Sequence, residues 1–172
     1  MTPATYSARE QLRDGRPIEI RAQRPDDEAD MLAAVARTAS QSLYRRFFAT
    51  RRGFSEKEKA FFMHIDFVNH VALVAEIDEG TSRTIIGGGR YIVTAPGEAE
   101  VAFIVVDAYQ GQGIGTLLTR HLVGLARAAG LKQLAADVLP ENMPMRRVFD
   151  KFGFRAARSV DPQVMHLTLP LI

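Results

Sequence analysis

Val101-Ala102-Phe103-Ile104-Val105-Val106 is followed, after a short link, by Gln110-Gly111-Gln112-Gly113-Ile114-Gly115-Thr116. The first segment is an unbroken apolar run, which fits a buried strand. The second is a glycine-dense turn, and beyond it apolar residues recur at helical spacing from about residue 114 to residue 129. The first N–H groups of such a helix have no intrahelical acceptor, and its dipole places about half a positive elementary charge there. Glycine lets phosphate oxygens come close to the main chain. Strand, glycine turn and helix in this order point to a pyrophosphate-bearing cofactor.

Working outward from this unit, residues 98–106 are preceded by Ala95-Pro96-Gly97, a turn, and by apolar runs at 70–77 and 84–93 around the polar loop Asp78-Glu79-Gly80-Thr81-Ser82. That pattern predicts antiparallel strands. Further upstream, Ile18-Glu19-Ile20-Arg21 alternates as a short half-buried strand. Pro25 with Asp26, Asp27 and Glu28 marks a helix start. Leu43, Tyr44, Phe47 and Phe48 suit a second helical piece, and Ser55 with Glu58 forms a capping-box pattern for a third. Downstream, Gly130 closes the long helix, residues 134–138 read as a strand and residues 142–152 as a helix ended by Gly153. Two final strands are expected at 154–159 and 164–169. The order predicts an α+β domain with a mixed sheet. Residues 1–16 read as a polar N-terminal arm and 17–172 as one domain.

The glycine turn fits two familiar phosphate motifs poorly. A dinucleotide fingerprint needs glycine at its sixth position, where counting from Gly111 reaches Thr116. A nucleoside-triphosphate loop needs a lysine after its last glycine, and here Gly115 is followed by Thr116 and Leu117. A third pattern, Gln/Arg-x-x-Gly-x-Gly/Ala, is matched by Gln110, Gly113 and Gly115. With that match the chain resembles the GNAT superfamily of N-acetyltransferases. A second block, Asn142 to Phe154, is similar to the family pattern Asn-x-x-Ala-x-x-Leu-Tyr-x-Lys-x-Gly-Phe through Asn142, Lys151, Gly153 and Phe154, with Met145 and Val148 as apolar substitutes. The resemblance covers roughly residues 18–169.

The resemblance implies a central, mostly antiparallel twisted sheet flanked by helices, with acetyl coenzyme A as cosubstrate and no metal. It implies main-chain pairing of Phe103, Ile104 and Val105 with the pantetheine arm, a diphosphate held by Gln110, Gly111, Gln112, Gly113, Ile114, Gly115 and Thr116, and contact of Asn142 with the same arm. Amine acetylation needs a general base, because an unperturbed lysine has a pKa near 10.4. Glu100, just before the apolar part of the strand, is the candidate, with Glu98 on the same strand parity as fallback. Many family members place a tyrosine where this chain has Phe149, so the usual side-chain acid is absent. A backbone N–H near Val105 is the candidate oxyanion donor.

Ser42-Leu43-Tyr44-Arg45-Arg46-Phe47-Phe48 resembles a segment of bacterial Pat-type protein lysine acetyltransferases. A protein lysine is therefore the leading acceptor. A small-molecule amine, or a non-catalytic acyl-coenzyme A sensor, is the alternative. Pat-type proteins often carry a regulatory or ligase-like domain, and at 172 residues none is expected beside this one. Arg45, Arg46, Arg51 and Arg52 form a basic group, either a solvated face or a contact for an acidic surface.

Composition sets the outer bounds. Apolar residues make up 47% and charged residues 24%, ordinary for a globular domain. No stretch reaches the ~18 apolar residues of a membrane span, and the N-terminus lacks a signal pattern. The absence of cysteine excludes disulfides and thiolate chemistry and fits a cytoplasmic protein. A net charge of +2 gives no case for nucleic acid. His64, His70, His121 and His166 have no metal-ligand spacing. A monomer or homodimer is expected, without membrane association.

Overall fold

The structure is a computed structural model and describes residues 3–37, 56–158 and 162–172. The predicted helical piece at 43–48, the arginines at 45, 46, 51 and 52, and the Ser55 cap lie outside the described residues.

Apolar runs bounded by turns, joined by the short segments 7–11 and 155–157, build one eight-stranded sheet. The strands are β1 (Ser7–Gln11), β2 (Pro17–Ala22), β3 (His70–Asp78), β4 (Arg83–Ala95), β5 (Glu98–Val105), β6 (Gln133–Val138), β7 (Arg155–Ala157) and β8 (Met165–Pro170). Their order is β1-β2-β3-β4-β5-β6-β8-β7. β5 and β6 run parallel, and every other described neighbouring pair is antiparallel. The expected mixed, mostly antiparallel sheet with flanking helices is the observed architecture. The helices are α1 (Glu28–Ala36), α2 (Glu56–Met63), α3 (Ile114–Ala128) and α4 (Met143–Lys151).

The polar arm expected for residues 1–16 contains an edge strand. β1 pairs with β2 from Ser7↔Arg21 to Gln11↔Pro17. Its attachment to α3 is polar: His121 meets the Tyr6 hydroxyl through Nδ1 and Glu10 Oε2 through Nε2, the latter at 2.6 Å.

Three consecutive glycines in β4 let helices approach both faces of the sheet. A Cβ on Gly89 would lie 2.7 Å from the Phe103 ring and 3.0 Å from Leu122 of α3, and one on Gly87 would lie 2.9 Å from Ile114. Neighbouring strand residues face opposite sides. Accordingly, Gly88 faces Met31 of α1, which a Cβ at this position would meet at 3.4 Å. α3 and α1 therefore cover opposite faces, each against β4. At the start of α1, buried Arg21 binds both oxygens of Asp27 at 2.8 and 2.9 Å and Glu76 at 2.9 Å. Burial opposes the Arg21 charge, but these two carboxylates outweigh it and hold the guanidinium above its ordinary range.

Candidate active site

The parallel pair creates the site. Parallel strands need a crossover, and α3 supplies it between β5 and β6. A helix in such a unit begins at the C-terminal end of the strand before it. β5 and β6 pair only from Glu98↔Gln133 to Val101↔Ala136. Past that point β6 stays with β8, up to Val138↔Met165, while β5 runs on to Val105. The sheet is thus split, and the start of α3 lies at the mouth of the split.

Gly113 is the N-cap of α3 at φ 90°, a left-handed conformation that glycine adopts without strain. Gly115 has a different job: a Cβ there would sit 3.2 Å from Met145 Sδ and 3.6 Å from Val148, so its small size brings α4 close. The first helical bond runs from Leu117 N–H to Gly113 C=O at 3.0 Å. Helix geometry leaves the N–H groups before it without intrahelical acceptors.

A cavity of about 320 Å³ spans the split and the helix start. Phe103, Ile104, Val105, Gln110, Gly111, Gly113, Ile114, Gly115, Thr116 and Asn142 all line it. Gln112 lies outside that lining. Its carbonyl accepts from Arg13 N–H at 3.1 Å, and its side-chain oxygen accepts from Asp14 N–H at 3.3 Å. The Gln110 amide donates to the Val105 carbonyl at 3.4 Å, at the unpaired edge of β5. Asn142 caps α4, accepting from Met145 N–H at 3.3 Å. Phe103 and Ile104 are buried, so their side chains belong to the core while their main chain follows the split.

Three cations, Arg13, Arg147 and Lys151, line the same cavity. Tyr109 lines it too, but its hydroxyl donates to Glu79, which together with burial raises the phenol pKa. The arrangement offers a row of main-chain donors and positive charge for a diphosphate, next to an open strand edge for an extended amide-bearing chain.

Glu100 is half-buried in the last paired stretch of β5, opposite Ile92 of β4 and Ala135 of β6. Ile92 in turn faces His70 of β3. Directly paired residues share a face, so His70, Ile92 and Glu100 form one row, on the α1 side with Gly88. Phe61 of α2 stacks on His70 at 5.2 Å between ring centres. His70 Nε2 accepts from Arg90 Nη1 at 2.9 Å, and Arg90 Nη2 donates to Gln23 at 2.9 Å. Burial, and then the Arg90 charge, push the His70 pKa down to about 3, so it is neutral at pH 7. Glu98 is exposed at the start of β5.

Phe149 lies in α4. It is 3% exposed and packs against Phe103 and Phe154, with ring centres 5.9 and 4.9 Å away. His70, His121 and His166 are each held by a neighbour, the last by Asp137 at 2.6 Å.

The profile of the Acetyltransferase (GNAT) family matches residues 33–154. The chain belongs to the GNAT family. It carries an N-acetyltransferase domain, and two curated relatives similar to it bear the name acetyltransferase. The acetyltransferase Pat of Mycolicibacterium smegmatis is 32% identical over 145 residues, covering 83% of this chain and 43% of that protein. An acetyltransferase of Pseudomonas aeruginosa is 31% identical over 160 residues, covering 91% of this chain and 86% of that one. The chain thus spans less than half of the Mycolicibacterium protein and most of the Pseudomonas one. The crystal structure of the GNAT domain of S. lividans PAT superposes with a TM-score of 0.82 at 35% identity, covering 95% of this chain and 96% of that domain.

The motifs assign no site role to Arg13, Tyr109, Pro144, Met145, Arg147, Val148 and Lys151, which line the cavity of this GNAT domain. Arg147 and Lys151 are four apart on α4, and Val148 and Lys151 three apart, so helical spacing groups them on one face. Arg13 had no such signal, because it arrives from a hairpin distant in sequence.

Proposed function

We propose that the protein transfers the acetyl group of acetyl coenzyme A to an amine, with a protein lysine as the acceptor and Glu100 as general base. The observation that carries this is the continuity of the β5–β6 split with the left-handed glycine cap of α3, with Glu100 beside the last paired position. The cavity suits the cosubstrate: main-chain donors and three cations stand where a diphosphate carries its charge, and the unpaired edge at residues 102–105 matches the two amides of pantetheine. In this reading Gly111, Gly113, Ile114, Gly115 and Thr116 hold the diphosphate through the main chain, with Gln112 bracing the loop. Asn142 borders the pantetheine arm while capping α4.

Chemistry follows from that placement. At pH 7 an ordinary lysine must lose a proton at a cost of about 4–5 kcal/mol. Glu100 accepts it, directly or through water, and the neutral nitrogen attacks the thioester carbon. The carbonyl oxygen gains charge, and a backbone N–H near Val105 donates to it. The tetrahedral centre collapses, the C–S bond breaks, and the thiolate leaves. Phe149 has no proton to give and the Tyr109 hydroxyl is committed to Glu79, so solvent protonates the thiolate.

A lysine side chain is favoured over a small amine by the kinship with Pat, together with the Pat-like segment at residues 42–48. The proposed setting is the cytoplasm, with monomer or homodimer left to solution measurement. Among the described residues no helix is long and apolar enough to cross a membrane. The test is an acceptor panel of proteins, lysine peptides, polyamines and amino acids, read by mass spectrometry for wild type and Glu100→Gln. Lysine acetylation that collapses in the variant supports the reading. Robust turnover of small amines alone would move the acceptor to that class, and equal rates for both enzymes would remove Glu100 from the chemistry.

A further inference from the structure

We infer that Arg13, donated by the β1–β2 hairpin, is a ligand of the cosubstrate's diphosphate, and that the hairpin is a strap across the cofactor loop. This rests on the proposed use of a coenzyme A thioester. The hairpin turn lies against residues 111–113 of the glycine turn. Arg13 N–H donates to the Gln112 carbonyl at 3.1 Å, Asp14 N–H donates to the Gln112 side chain at 3.3 Å, and the Arg13 guanidinium donates to the Gly111 carbonyl at 3.2 Å. The Arg13 side chain also flanks the N-cap of α3: a Cβ on Gly113 would be 3.8 Å from both Arg13 Cγ and Nε. Arg13 thus lines the cavity at the helix start.

The chemistry of that position is specific. A guanidinium carries five donors in a planar fork and binds phosphate oxygens in pairs. One of its Nη atoms is engaged with a loop carbonyl, which aims the fork along the same loop whose N–H groups face the cavity. Neighbouring contacts steady the hairpin. Asp14 accepts from Arg16 Nε at 2.9 Å, and the Arg16 guanidinium lies 5.3 Å from the centre of the Tyr109 ring. The Tyr6–His121–Glu10 contacts tie the adjoining strand to α3.

The assignment is testable with three probes that differ in phosphate content: acetyl coenzyme A, its 3′-dephospho form, and acetyl-pantetheine, which has no phosphate. Calorimetric titration of Arg13→Ala should show acetyl coenzyme A and the dephospho form weakened alike, by about ten- to a hundredfold, as for a lost charged hydrogen bond. Acetyl-pantetheine should bind as in wild type, and Arg13→Lys should recover part of the loss. An equal loss for acetyl-pantetheine would overturn the assignment in favour of a structural role for the hairpin. Loss for acetyl coenzyme A but not for the dephospho form would move Arg13 to the 3′-phosphate, and unchanged binding would remove it from the site. Wild-type protein that binds none of the probes would instead defeat the cosubstrate reading itself. Thermal unfolding of each variant, expected to match wild type for an exposed residue, separates binding from folding.

Discussion

Phe149, buried against Phe103 and Phe154, carries a ring that can neither give nor take a proton. The catalytic burden in the proposed reaction therefore falls on the amine side, at Glu100, and this has a signature in pH. In Glu100→Gln the reacting nitrogen must lose its proton unaided, and the rate should rise about tenfold per pH unit toward the amine pKa near 10.4. The variant's deficit, about a hundred- to ten-thousand-fold near neutral pH, should shrink as pH rises. A deficit constant across pH would make Glu100 a positioning residue. His70, in the same cross-strand row, carries a different pH dependence. Burial and Arg90 depress its folded pKa to about 3, whereas the unfolded chain takes up its proton near 6.5. Between those values the unfolded state binds more protons, so His70 contributes stability that is full above pH 6.5 and lost as pH falls toward 3. His70→Gln retains an acceptor for Arg90 and should flatten this loss by up to about 1.4 kcal/mol per pH unit in urea titrations. Parallel wild-type and variant curves in that window would contradict the assignment.

At the scale of elements, the decisive contact is α3 on β4 and β5. The glycines of β4 set the distance of the helix from the sheet and, with it, the height of the N-terminal turn over the split. A methyl group at Gly89 would meet the Phe103 ring at 2.7 Å and Leu122 at 3.0 Å, and Phe103 is part of the cavity wall. Gly89→Ala should cost about 1–3 kcal/mol of stability in denaturant titrations, the usual penalty of overpacking. It should also weaken cosubstrate binding, because relief requires a shift of Phe103 or of α3. A variant with wild-type stability and affinity would show that the interface relaxes freely. The β1–β2 hairpin touches the other side of the same turn, through Arg13 and Asp14. The glycine loop is thus held between a packed helix–sheet contact and a polar strap.

At the scale of the whole molecule, what could be read in advance follows the physics of each signal. Strands β2 to β6 and helices α3 and α4 announce themselves through apolar periodicity and turn glycines, because their burial is decided locally. The resemblance carried by the two motif blocks pointed to the loop, to residues 103–105 and to Asn142. β1 escaped because Ser7-Ala8-Arg9-Glu10-Gln11 has no apolar alternation. It is an edge strand held by main-chain pairing and by the His121 contacts, and Arg13 escaped with it. The seat of β8 between β6 and β7 is a long-range pairing that no local pattern encodes. The burial of Arg90, 1% exposed, runs against what its side chain would suggest. Gln112 joins the glycine loop to the hairpin through its carbonyl and its side chain, a contact no local pattern encodes. The most direct measurement of the whole account is a crystal structure grown with acetyl coenzyme A. The account predicts the diphosphate on the N–H groups of residues 111 and 113–116 and the pantetheine amides paired with the open edge of β5. Cosubstrate bound elsewhere, with that split still empty, would contradict it.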